Sequence, residues 1–165
     1  MKQNATLDSS FWINAHRSGL LPQLLERYAL YYTPEVAAEL RPSFASGRES
    51  WRLAQEGVLV EAPACLREVQ SFGLGERSAI NLALEHRDWI LLMDDRRPLL
   101  EATRLGLRVL SSPVLALQLF SEGRLDATRT LQVLARLAAL QTVSPDLLAA
   151  ALAHLGRTWQ ERGGR

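Results

Sequence analysis

A chain of 165 residues, 47% hydrophobic and 22% charged, has the size and apolar content of one domain with a substantial core. Its net charge of +1, from 19 basic and 18 acidic residues, excludes a uniformly basic nucleic-acid module and leaves room only for a local patch. Cys65 is the sole cysteine, so an internal disulfide and a cysteine-built zinc site are both excluded.

In chain order, residues 5–7 read as a first strand that ends at Asp8. Residues 29–32 read as a second strand and 58–60 as a third. Between them, Thr33-Pro34 is a helix start, with a capping hydroxyl followed by proline at the first helical position. Gly73-Leu74-Gly75 punctuates the chain before a helix over 76–86. Residues 89–93 (WILLM) form a continuous apolar run, the pattern of a strand covered on both faces. A helix over 97–105 is stopped by Gly106, and residues 107–110 read as a fifth strand. Alternation of this kind predicts an α/β fold, a mostly parallel sheet of about five strands between helix layers. From about Leu125 onward only helix is expected. One apolar stripe runs through Leu131, Leu134, Leu137 and Ala138, and Ser144-Pro145-Asp146 opens a last helix with Leu148, Ala151, Leu152 and Leu155 inward. A C-terminal helical hairpin therefore follows the α/β unit, packed on it or on a second copy, and 161–165 reads as a frayed end.

Ligands of open parallel sheets bind beyond the carboxyl ends of the strands. Asp8 directly follows the first strand, and Asp94 and Asp95 follow the fourth. Glu76 lies in the first turn of its helix, on the face of Ile80 and Ala83, and Glu39 lies beside the stripe of Val36. Each acid has a second reading, as a helix cap, a turn residue, a partner of the helix dipole or a surface charge. Gathered at one edge, they repel one another and call for a hard divalent cation with oxygen ligands, magnesium or manganese.

The stretches TLDSSFWI, TPEVAAEL, GLGERSAINLALE and ILLMDDRRPLLEATRLGLRVLSS carry these acids in order. Together they resemble the PIN-domain (VapC-like) nucleases over about residues 4–120. GERSAI, LMDDRRP and the helical tail look most like a prokaryotic PIN-like subgroup that ends in an extra helical hairpin. The resemblance implies a three-layer α/β/α sandwich, with a PIN-like domain over 1–122 and the hairpin over 123–160 packed on it. It implies a magnesium- or manganese-dependent ribonuclease, and many relatives are toxins held inactive by a small antitoxin protein. Asp8, Glu39, Glu76 and Asp95 match the family's acidic cluster, Asp94 being a second candidate at the last position; Asp8, Glu76 and Asp95 are the metal ligands so implied. Many members carry threonine or serine just before the last acid's turn, where this chain has Met93 and Asp94.

Arg96, Arg97 and Arg104 follow the double aspartate and read either as holders of RNA phosphates or as a solvated helix face. Ser10 is a candidate to support the site through its hydroxyl, and Trp12 and Trp51 are candidates for an interface, such as that of a homodimer. The first ten residues lack a signal-peptide pattern and no apolar run reaches transmembrane length, so a cytoplasmic location without a membrane partner is expected. A second reading of the whole is a degenerate PIN-like protein that binds nucleic acid or a partner without cleaving. A phosphoacceptor domain needs a lysine near the fifth strand, and Lys2 is the only lysine. A haloacid-dehalogenase-like phosphatase needs an aspartate where Ser10 stands.

Overall fold

The first strand, β1 (Gln3–Leu7), sits at the centre of the sheet, and Ala5, Thr6 and Leu7 are fully buried. In a computed structural model that describes residues 1–161, it is followed by α1 (Ser9–Ser18), α2 (Leu21–Arg27), β2 (Tyr28–Tyr32), α3 (Pro34–Glu39), α4 (Ala45–Gln55) and β3 (Leu59–Glu61). The chain then continues through α5 (Leu74–Glu85), β4 (Ile90–Leu92), α6 (Arg96–Arg104), β5 (Arg108–Leu110), α7 (Ser112–Ser121), α8 (Ala127–Leu140) and α9 (Pro145–Glu161). The five strands pair in the order β3-β2-β1-β4-β5, all parallel, as the alternating pattern predicts. Successive crossovers reverse direction between β1 and β4, so the crevice at their carboxyl ends is the switch point of the sheet. There Leu7 pairs with Leu92, and Asp8 N–H donates to the Leu92 carbonyl at 3.2 Å.

Side chains alternate across the sheet and divide the core into two layers. Leu91 and Met93 pack with Ala79, Ile80 and Ala83 of α5 and Ala102 of α6. Leu7, Leu30, Leu92 and Leu110 face the other way, among the apolar sides of α1, α2 and α7–α9. The result is the three-layer α/β/α sandwich. Burying a leucine is worth roughly 1.5–3 kcal/mol, so these opposed faces fix which side of the sheet each helix covers.

Three helices, α7, α8 and α9, depart from the sequence reading. Residues 112–121 form α7, whose apolar side chains occupy most of its circumference and so give no amphipathic signal. In α8 the inward stripe is Thr130, Val133, Leu134 and Leu137, while Leu131 is 40% exposed and Ala138 is exposed. The face is rotated from the expected one because Thr130 spends its hydroxyl on the Asp126 carbonyl and becomes tolerable inside. Leu148, Ala151 and Leu155 of α9 face inward, and Leu152 stands 45% exposed beside them. The hairpin of α8 and α9 packs on α1 and α7. Trp12, expected at an interface, is fully buried and donates its indole N–H to the Ser46 carbonyl at 2.8 Å, whereas Trp51 is 61% exposed. Of the end expected to fray, residues 162–165 lie outside the described residues.

Candidate metal centre

Asp8 is pinned where the central strand becomes α1. Its Oδ1 caps the helix, accepting from Phe11 N–H at 2.8 Å, and its Oδ2 is buried without a hydrogen-bond partner. An unpaired buried carboxylate oxygen is expensive. Burial pushes the Asp8 carboxyl well above its ordinary range, the Phe11 N–H opposes this, and the charges of Asp94, Glu76 and Glu39 raise it further. Those charges place the candidate acids within electrostatic reach of one another.

Asp94, on the neighbouring strand end, is fully buried and fully bonded. Its Oδ1 accepts from Ser112 N–H at 2.6 Å, and its Oδ2 accepts from Ser112 Oγ at 2.6 Å and Asn14 Nδ2 at 2.7 Å. Burial raises its carboxyl while these donors oppose the rise. Asn14 in turn accepts from Thr142 Oγ1 at 2.6 Å, which ties Asp94 through α1 to the turn between α8 and α9. Asp95 is exposed and caps α6, accepting from Arg97 N–H at 3.2 Å.

The two glutamates come from packed helices. Thr33, at the carboxyl end of β2, caps α3 through Val36 N–H at 3.3 Å and meets Ser78 of α5 at 2.6 Å. Glu39, the last residue of α3, is thereby held beside the start of α5. It accepts from Ser9 Oγ at 2.5 Å and Gly75 N–H at 3.0 Å. The second contact requires glycine: a Cβ at residue 75 would lie 2.5 Å from Glu39 Oε1. Glu76 folds back onto Gly73 N–H at 3.1 Å. Burial raises its carboxyl, as do Asp95 and Glu39, while Gly73 N–H and Arg97 oppose the rise.

Among the described residues, no group of three or more histidine, cysteine, aspartate or glutamate side chains stands ready as a metal cage. Glu39 and Glu76 are turned to local amides, and Asp94 is spent on Ser112 and Asn14. The donor chemistry nevertheless fits a hard cation: the groups are carboxylates, burial and then mutual repulsion raise Asp8 and Glu76, and one buried oxygen of Asp8 is unpaired. Coordination would need Glu39 and Glu76 to swing from their amide partners.

Of the arginines, Arg97 is near enough to Glu76 to offset its repulsion. Arg96 pairs with Asp146 of α9 at 3.1 Å, and Arg104 pairs with Glu101 at 2.6 Å. Arg97 and Arg104 line one cleft with Phe72 and Leu100. The sequence reading missed Ser9, Asn14, Ser112 and Thr142. Ser9 makes the contact to Glu39, so the hydroxyl support expected of Ser10 comes from its neighbour. Asn14 had a signal, as a polar residue on the inward face of α1 between Phe11 and Ser18. Ser112 had a weaker one, since it lies two residues past the end of the fifth strand, at the start of α7.

Fold and site together define a parallel α/β domain with an acidic cluster at its switch point. The PIN domain family model (DUF3368) matches residues 5–157, and the chain belongs to the PIN-domain family. Among solved structures, the PIN domain endonuclease Utp24 is similar at 16% identity with a TM-score of 0.49, covering 66% of this chain and 84% of that one. No curated protein matches the chain. No described helix is long and apolar enough to cross a membrane.

Proposed function

We propose that this protein is a divalent-metal-dependent endoribonuclease of the PIN type. The observation that carries the reading is the unpaired Oδ2 of Asp8, buried at the switch point within reach of the charges of Asp94, Glu76 and Glu39. Asp8, Glu76 and Asp95 would hold magnesium or manganese, with Glu39 at the border of the site. When bound, such an ion neutralises the carboxylates and lowers the pKa of a coordinated water, which suits hydrolysis of a phosphodiester. Asp94 is the positioning residue of the set: its bonds to Asn14 and Ser112 hold the ends of β4 and β5 and the start of α1 in register. Arg97 offsets negative charge at Glu76 and is placed to meet an RNA phosphate.

The role as toxin of a toxin–antitoxin pair, in the cytoplasm, belongs to the same proposal and rests on the likeness to prokaryotic PIN nucleases. A short neighbouring reading frame whose product binds this chain and blocks cleavage would support it. The exposed Leu131, Leu152 and Trp159 of the tail offer apolar surface for a homodimer or such a partner. The engagement of Glu39 and Glu76 with backbone amides favours a second reading, a degenerate PIN-like protein that binds nucleic acid without cleaving it. The deciding experiment incubates the purified chain with a mixed RNA pool and either metal. Cleavage that disappears in Asp8→Asn supports the nuclease; an intact pool with retained RNA binding selects the second reading.

A further inference from the structure

The cleft on the α1–α4 side of the acids is absorbed by neither metal binding nor packing. It encloses about 550 Å³ and is lined by Glu39, Ile13, His16, Arg17, Arg41 and Phe44 among others. Ile13, His16 and Arg17 continue the α1 face that begins at Ser9, the partner of Glu39. Eight residues at 1.5 Å each separate Ser9 from Arg17, so the face leads about 12 Å outward from the acids. Phe44 stands 65% exposed at the cleft wall, although a phenylalanine ring gains from burial. The guanidinium groups of Arg17 and Arg41 have no hydrogen bond or ion pair within the described residues. They contrast with Arg27, Arg52, Arg104 and Arg124, all held by glutamates.

We infer that this cleft is a subsite for single-stranded RNA, in which a base flanking the cleavage position stacks on Phe44 and its backbone phosphate is held by Arg17 and Arg41. The inference rests on the nuclease reading and deepens it by naming residues outside the acidic cluster, Phe44, Arg17 and Arg41, that hold the strand beside the acids. An aromatic ring with a free face binds any base, because every base has a π-face. A base must leave its duplex stack to lie on that ring, so Phe44 selects single strands, loops or ends. Two unspent guanidiniums beside the ring supply the charge complement of a phosphate. Their place next to Glu39 puts the bound nucleotide in line with the acids.

The test uses the full chain carrying Asp8→Asn, so that RNA survives the measurement, and reads anisotropy of a fluorescein-labelled single-stranded RNA decamer of mixed sequence. Phe44→Ala should weaken binding about tenfold, and Phe44→Trp should restore it. Arg17→Gln and Arg41→Gln should each lower the slope of log affinity against log salt by about 0.7. A blunt RNA duplex should bind with no dependence on Phe44. Thermal melts should stay unchanged for Phe44→Ala, since the ring is largely in solvent. Parent-like affinity in Phe44→Ala with parent-like salt slopes in both arginine variants overturns the inference and leaves the cleft to a protein partner. Metal-dependent cleavage by the otherwise wild-type chain is scored separately. Cleavage with unchanged binding in the variants refutes the subsite alone. Phe44-dependent binding without cleavage refutes the nuclease alone, and a parent that binds no RNA refutes both.

Discussion

Replacing Gly75 with alanine isolates the placement of one carboxylate. A Cβ at this buried position of α5 would stand 2.5 Å from Glu39 Oε1 and 2.6 Å from its Cδ. Ordinary contact is about 3.5–4.0 Å, so the carboxylate must retreat by about 1 Å and release Gly75 N–H. The obstructing atoms are the far end of a flexible side chain, so the backbone has no reason to move. Losing one hydrogen bond costs about 0.5–1.5 kcal/mol. Alanine returns roughly 0.5–1 kcal/mol through its better helix propensity. Stability should therefore change by about 1 kcal/mol or less, a shift of roughly 2–4 °C in melting temperature. Displacing a reacting-site group by about 1 Å costs on the order of 100-fold in rate. The assay pairs a thermal melt with initial rates on a labelled RNA in manganese, with Glu39→Gln alongside. A Gly75→Ala protein that melts normally and cleaves at the wild-type rate, while Glu39→Gln is impaired, would refute the idea that Gly75 fixes Glu39 for function.

The other acids give further expected outcomes. Asp8→Asn keeps the cap on Phe11 and removes the unpaired buried charge, so it should abolish cleavage yet melt higher than wild type in metal-free buffer at neutral pH. The folded-state values of Asp8, Asp94 and Glu76 are raised, so the native state binds protons more tightly than the unfolded chain. Metal-free stability should then fall as pH climbs from the ordinary carboxylate range near about 4 through the raised values, and added manganese should recover it; melts in chelator against pH check the sign. Asp94→Asn points an amide at donors from Ser112 and Asn14 and should destabilise by about 1–3 kcal/mol in denaturant titration. Asp95→Asn remains a good cap at an exposed position and should leave stability intact, so any loss of cleavage there reports ligation.

Much of this fold was legible because burial on two faces leaves an unmistakable trace. The run at 89–93 is short enough to read as a strand between helix layers, and it pairs with the strand ending at Asp8 as expected. α7 was not legible, since a helix apolar on most sides has the same local pattern as a buried strand or a loop-spanning core segment. Asp8, Asp94 and Asp95 could be found by inspecting the residues past the carboxyl ends of strands, and Glu39 and Glu76 by their place beside apolar helix faces. Their partners could not: Asn14 reaches Asp94 across 80 residues and Gly75 reaches Glu39 across 36, contacts set by helix placement and side-chain rotamer. Trp12 misled for a related reason. An indole suits interface or core equally, and the Ser46 carbonyl that settles its place lies on another helix.

The bond from Thr142 to Asn14 spans 128 residues of chain and ends one hydrogen bond from Asp94. These two bonds form a continuous physical path between the docked hairpin and the acidic crevice. Any effect of charge at the crevice on the turn between α8 and α9 is returned from that turn to Asp94 by the same factor. Amide exchange at 141–144 should therefore change when manganese is added to the metal-free chain, and no change would refute the path. Thr142→Val, which removes the bond to Asn14, should mute that response while leaving both the hairpin and the acids in place.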